Sequence, residues 1–172
     1  MDARIIKIGF GGGCHWCTEA VFQALHGVKK VEQGWIASFE ANSAFSEAVI
    51  VHYNEADISL THLIEIHLNT HKSSSNHSMR KKYRSAVYTF STFQEEQAKA
   101  VISSFQPEFQ NKLITEVHPF KSFRPSPVAI QNYYKKNPSK PFCTKYIDPK
   151  LNVIADQFQD QMKRIRNVEI LD

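Results

Sequence analysis

Hydrophobic and polar positions along this chain repeat at two different periods, and the switches between them mark its elements. Residues 4–8 are rich in β-branched side chains and predict a first strand. Glycines follow at positions 9, 11, 12 and 13. Trp16, Ala20, Val21, Ala24 and Leu25 then recur at helical spacing, and Gly27 is placed to close that helix. Residues 28–38 predict a second strand with Val31 and Trp35 as apolar landmarks, and residues 39–44 a short polar turn. In the strand predicted over 45–53, the two-residue period sets Phe45, Glu47, Val49 and Val51 on one face. Glu47 thereby joins an apolar face, which is unusual for a charged side chain unless it is paired or protonated.

Ser59 suits the N-cap of a second helix whose stripe is Leu60, Leu63, Ile64, His67 and Leu68. Residues 70–82 are polar and basic without a period and predict a long loop, a kind of segment that tends to be functional or mobile. A strand over 84–90 leads to a helix capped by Ser91 or Thr92 and running to about Phe105, with Glu95 and Glu96 in its first turn. The remainder predicts a strand over 113–117, a proline-containing loop over 118–126 and a short helix over 128–136. A second loop over 137–148 and a closing amphipathic helix over 151–165 complete the chain. There is no internal repeat, linker or low-complexity tract, so residues 1–172 are expected to form a single domain. Strands and helices alternate without a regular rhythm, which predicts an α+β domain with helices on a mixed or antiparallel sheet.

Composition narrows the classes of function. An apolar content of 42% and a charged content of 22% are ordinary for a globular protein. The net charge of +4 is modest, and no long basic run with interleaved aromatics marks a nucleic-acid surface. No signal peptide and no membrane-spanning stretch are expected. Three cysteines argue against a disulfide-stapled secreted scaffold and for a reducing, cytoplasmic setting.

The candidate chemistry centres on Cys14. It follows a strand and a glycine-rich turn and falls where the first helix begins. Unpaired N–H groups and the positive dipole end there favour a thiolate. Glycines let a substrate approach the backbone closely. A small core cysteine is the bland alternative. Cys14-x-x-Cys17 also has the spacing of a redox dithiol or half a metal site. Adjacent Cys14 and His15 at a helix start point in different directions, so no metal site is expected from Cys14, His15, Cys17 and Cys143, nor from one of His67, His71 and His77 with them.

The run Gly12-Gly13-Cys14-His15-Trp16-Cys17-Thr18-Glu19-Ala20-Val21-Phe22 resembles the signature of the A-type peptide methionine sulfoxide reductases. The resemblance continues in residues 31–35, 47–49, 83–88 and 141–143, in the family's order and over most of the chain. It implies a two-layer, ferredoxin-like core with long surrounding loops. It also implies reduction of methionine sulfoxide, free or in peptides, by a peptide-methionine (S)-S-oxide reductase. In that chemistry Cys14 attacks the sulfoxide sulfur while Glu47 and Tyr83 supply acid to its oxygen. A carboxyl on an apolar strand face suits this role independently of the resemblance. Trp16 would wall the pocket for the sulfoxide methyl group. The sulfenic acid left on Cys14 would condense with a resolving thiol, Cys143 or Cys17, and thioredoxin or a similar external thiol would reduce the disulfide. Cys143 is favoured as lying on a flexible loop. No cofactor is implied.

Departures from the family pattern gather around the substrate. His15 replaces the usual phenylalanine, Trp35 the usual tyrosine, and Ser78 stands where an aspartate is usual. Residues 126–131 lack the usual glutamate and histidine. His15, Trp16, Trp35 and Ser78 are the expected substrate-binding positions. Arg80, Lys81 and Lys82 would support a Cys14 thiolate, attract an acidic substrate, or form a solvated basic loop. A thioredoxin-like disulfide oxidoreductase using Cys14 and Cys17, and a catalytically silent binding protein of the same fold, are the competing readings.

Overall fold

The computed structural model describes residues 4–163. Six strands form one sheet: β1 (Ile5–Gly11), β2 (Val28–Ala37), β3 (Ser46–Asn54), β4 (Ala86–Thr89), β5 (Glu116–Pro119) and β6 (Ser122–Pro125). They lie in the order β5-β4-β1-β3-β2-β6. Neighbours are antiparallel except for the parallel pair β4–β5, so the sheet is mixed. The helices are α1 (His15–Gln23), α2 (Leu60–Asn69), α3 (Thr92–Phe105), the single turn α4 (Tyr133–Lys136) and α5 (Asp148–Gln157). None of the helices in the described residues is long and apolar enough to cross a membrane.

Side-chain alternation assigns the two faces of the sheet. Val49 and Val51 of β3 join Phe10 of β1, Phe22 and Leu25 of α1, Leu63 and Ile64 of α2, Ile102 of α3 and Ile154 of α5 in one large core. Their neighbours Ala48 and Ile50 point the other way, into a smaller cluster with Ile36 and Tyr88 covered by Phe90, Phe120 and Phe123. Glu47 therefore lies on the helix side, as its place in the alternation predicts. Ser59 and Ser91 cap α2 and α3, accepting from the N–H groups of His62 and Gln94.

The structure differs from the sequence reading in several places. First, β1 continues through Gly9 and Gly11 to the threshold of α1, so these glycines are strand residues. Second, the strand predicted over 113–117 starts later. The backbone of Leu113 is bonded to the Gln106 side chain and Ile114 N–H to Ser73 O, which removes both residues from the ladder. Third, β6 occupies part of the predicted 118–126 loop. Pro119 and Pro125 end two short outer strands, where a missing N–H breaks no inner ladder bond. The predicted helix over 128–136 is likewise split by the left-handed Asn132 into a 3₁₀ turn, Val128–Ile130, and α4. Fourth, residues 141–148 are not a loop: a π-helical turn, Cys143–Ile147, runs directly into α5. The predicted closing helix ends at Gln157, and its last residues, 164 and 165, lie outside the described residues.

Candidate active site

Cys14 is the N-cap of α1, half-buried, with no acidic residue in the helix's first turn. Its thiol is held below the ordinary value of 9.0 chiefly by a hydrogen bond from Cys17, with the backbone N–H groups of Trp16 and Cys17 acting in the same direction. Burial and the nearby Glu47 oppose them. Cys17, donating that bond and itself buried, is pushed far up. The pair thus divides into one acidified sulfur and one that retains its proton. All three cysteines are free thiols. Cys143 is fully enclosed, packed with Cys17, Ala20 and Ile147, and burial pushes its thiol up. It sits on a helical turn and not on the flexible loop expected for it.

Glu47 closes the other side. Only 7% exposed, it accepts from the backbone N–H of His15 at 3.2 Å and so caps the first turn of α1. Lys82 Nζ lies 3.7 Å from its second oxygen. Lys82 Nζ also lies over the Tyr83 ring at 5.1 Å, and Tyr83 and the Glu47 carboxylate raise the affinity of that amine for its proton. Lys82 therefore connects Glu47 to Tyr83, a link the sequence signals only as one position in a basic run. Glu47 is directly opposite Trp35 in the β2–β3 ladder, and Trp35 opposite Arg124 in β2–β6, so the three share a face.

His15 is buried, with its ring edge-on to Trp35 at 5.1 Å. Its Nδ1 donates to Gly34 O at 2.7 Å, and Nε2 is 3.5 Å from Glu47. The ring thus lies beneath the site, against the carboxyl. Trp16 stacks flat on Tyr133 at 3.9 Å with Phe142 edge-on at 5.2 Å, and its indole N–H has no partner among the described residues. Tyr133 and Phe142 are members of the site that the sequence reading missed. Glu19 places Tyr133: fully buried, it accepts from the N–H groups of Asn132 and Tyr133 and from the Gln33 side chain. Its signal is an acid one helical turn after His15 on a buried helix face. Ser78 stands exposed on the crest of the long loop.

Arg80 is no free cation. Its guanidinium donates to four backbone carbonyls, those of Gly12, Lys72, Ser75 and Tyr83, and so fastens the loop to the strand–helix turn. Gly12 is required there, because an added Cβ would lie 2.5 Å from the His71 ring. Among the described residues no cluster of three or more His, Cys, Asp or Glu side chains is disposed to hold a metal ion.

A family model described as peptide methionine sulfoxide reductase matches residues 6–163. A peptide methionine sulfoxide reductase MsrA of Acinetobacter baumannii is 31% identical over 168 residues, covering 90% of this chain and 96% of the relative. One of Trichodesmium erythraeum is 34% identical over 171 residues, covering 90% and 97%. Mxr1 from Saccharomyces cerevisiae in its reduced form shares the fold with a TM-score of 0.74 at 22% identity, covering 83% of this chain and 91% of that one. Mxr1 in complex with Trx2 superposes with a TM-score of 0.60 at 20% identity, covering 77% and 89%. Matched by the family model over most of its length, and by relatives above 30% identity across 90% of it, the chain belongs to the peptide methionine sulfoxide reductase family.

Proposed function

We propose that this chain reduces methionine sulfoxide to methionine, with Cys14 as nucleophile, Glu47 as proton donor and Tyr83 as a second hydrogen-bond donor to the sulfoxide oxygen. The observation that carries the reading is the acidified Cys14 thiol beside Glu47, which grips the N–H of the next residue. Thiolate attack and oxygen protonation then meet on one sulfoxide group. Trp16, backed by Tyr133 and Phe142, offers an apolar wall for the methyl group. Trp35, on the ladder position facing Glu47, borders the same place, and Ser78 lies farther out on the loop.

Cys17, in the first turn of α1 three residues after Cys14, is the nearer resolving thiol along the chain and the first cause of the acidity of Cys14. Condensation with the sulfenic acid forms the disulfide and releases water. Cys143, packed on Cys17, is then in line for a second exchange. An external thiol of the thioredoxin kind closes the cycle, with no bound cofactor. The similarity to a fold neighbour solved with Trx2 supports that choice. The β4-β1-β3-β2 order, with α1 after β1 and α2 after β3, supports a ferredoxin-like core within one domain.

The test incubates reduced protein with each epimer of a blocked methionine sulfoxide and quantifies methionine. Without external reductant, Cys17→Ser and Cys143→Ser should each release about one equivalent from the S epimer, the wild type up to about two because the Cys143 exchange frees Cys14 again, and Cys14→Ser none. Methionine from Cys14→Ser, or none from the wild type with either epimer, overturns the reading.

A further inference from the structure

His15 has no part in the chemistry just described, yet its ring is held at Nδ1 and turns Nε2 toward Glu47. Gly34 O is a carbonyl and cannot donate, so Nδ1, 2.7 Å away, must carry a hydrogen. Nε2 is then the variable position: a lone pair in the neutral ring, an N–H in the imidazolium. It faces Oε1 of Glu47 at 3.5 Å, the oxygen that also accepts from the His15 backbone. A lone pair set against a carboxylate is repulsive, so the pair favours the state with one proton between the two atoms. A phenylalanine at this position could not hold that proton.

The other charged groups around the pair are few. Lys82 of the long loop lies on the far oxygen of Glu47 at 3.7 Å. Cys14 adjoins His15 in the chain, and the Glu47 charge acts against its ionisation. Glu19, one turn further along α1, has its oxygens occupied by Gln33 and by the N–H groups of Asn132 and Tyr133. Arg124 of β6 is engaged over the Phe45 ring at 4.3 Å.

We propose that His15 is a positioning residue for Glu47 which stores, on Nε2, the proton that Glu47 delivers to the sulfoxide oxygen. This deepens the function proposed above and rests on it. When Cys14 Sγ attacks, the sulfoxide sulfur takes up the electron pair and its S–O bond breaks. The oxygen ends on Cys14 as a sulfenic acid, and one proton is consumed. That proton is the one on Nε2: it moves onto Oε1 of the Glu47 carboxylate, and Glu47 passes it on to the oxygen. The Nδ1–H imidazole remains beside a carboxylate until water reloads it.

The experiment measures single-turnover methionine formation from pH 5.5 to 8.5 for the wild type, His15→Phe and His15→Gln. Glutamine can keep the bond to Gly34 O but cannot carry the proton, and it guards against a folding defect in the phenylalanine variant. Both variants should lose about 10²-fold at pH 8, at the lower end of acid catalysis. The loss should shrink as the pH falls and bulk protons load Glu47 directly. Profiles that differ from the wild type only by a constant factor overturn the proposal while leaving the reductase reading intact. A wild type that forms no methionine at any pH overturns both.

Discussion

Glu47 carries two jobs that a single substitution separates. As an acceptor it satisfies an N–H at the start of α1; as an acid it is proposed to protonate the sulfoxide. Glu47→Gln keeps an acceptor oxygen of the same shape and loses the proton. Turnover should drop by about 10² to 10⁴, while urea unfolding shifts by less than ~1 kcal/mol. A large stability loss with near-normal turnover would instead make Glu47 a structural partner of Lys82 and His15. The thiols can be separated in the same manner. Because the Cys17 hydrogen bond is the first cause of the acidity of Cys14, Cys17→Ala should raise the pH midpoint of Cys14 alkylation toward the ordinary 9.0. An unmoved midpoint would assign that acidity to the helix N-terminus alone. At this scale the sequence was informative wherever a residue type conflicted with its surroundings. Glu47 on an apolar face and Cys14 at a helix start both announced themselves. Lys82, Tyr133 and Phe142 did not, since a basic loop residue and two aromatics gain their roles from partners distant in sequence.

Among the elements, the long loop after α2 has the most to do with the site. Residues 70–85 carry no hydrophobic period, and their order comes from Arg80 and from backbone bonds to neighbouring segments. The planar fork reaches four carbonyls at once, which a lysine cannot do. Arg80→Lys should therefore cost about 1–3 kcal/mol and hasten amide exchange from Lys72 to Tyr83. The Michaelis constant should rise more than the maximal rate falls, because the loop carries Lys82 and Tyr83 to Glu47. Unchanged exchange in that stretch would show that other bonds order it. The same reasoning explains which elements were legible. β1, β2, β3, α2 and α3 follow local period and capping, so their existence could be read directly. β5 and β6 are four-residue outer strands ended by prolines, and the turn at Cys143–Ile147 precedes Pro149, whose ring the i→i−4 ladder does not accept. Those elements are held by what they pack against.

For the whole molecule, two histidines, the buried His67 of α2 and the half-buried His71 just after it, shape the response to acid. His67 is enclosed against Phe10 and Phe22, and burial, with His71, Arg80 and Lys150 nearby, drives its affinity for a proton well down. His71 donates from Nδ1 to His67 O at 2.5 Å, and Ser85 donates to its Nε2 at 2.8 Å while accepting from Thr115 at 2.7 Å. Burial takes His71 from 6.5 to about 3. Both rings are neutral in the folded chain and take up a proton on unfolding once the pH is below 6.5. Since the folded state binds fewer protons, stability is fully present above that pH and falls as the pH drops toward the folded values. Each histidine contributes a slope of up to ~1.4 kcal/mol per pH unit. Between pH 6 and 5, where ordinary carboxylates are still largely ionised, the unfolding free energy should fall with the joint slope of the two. In His71→Gln, whose amide can donate to His67 O and accept from Ser85, about half that slope should remain. Urea titrations at closely spaced pH values measure it, and a slope identical in the variant would mean that His71 is already charged in the folded chain. Because Arg80 and Lys150 lie near both rings, and Lys150 donates to Thr70 O, protonation there would push on the contacts that hold the loop and α5 together. Loss of the loop's protection from amide exchange should therefore precede global unfolding as the pH is lowered.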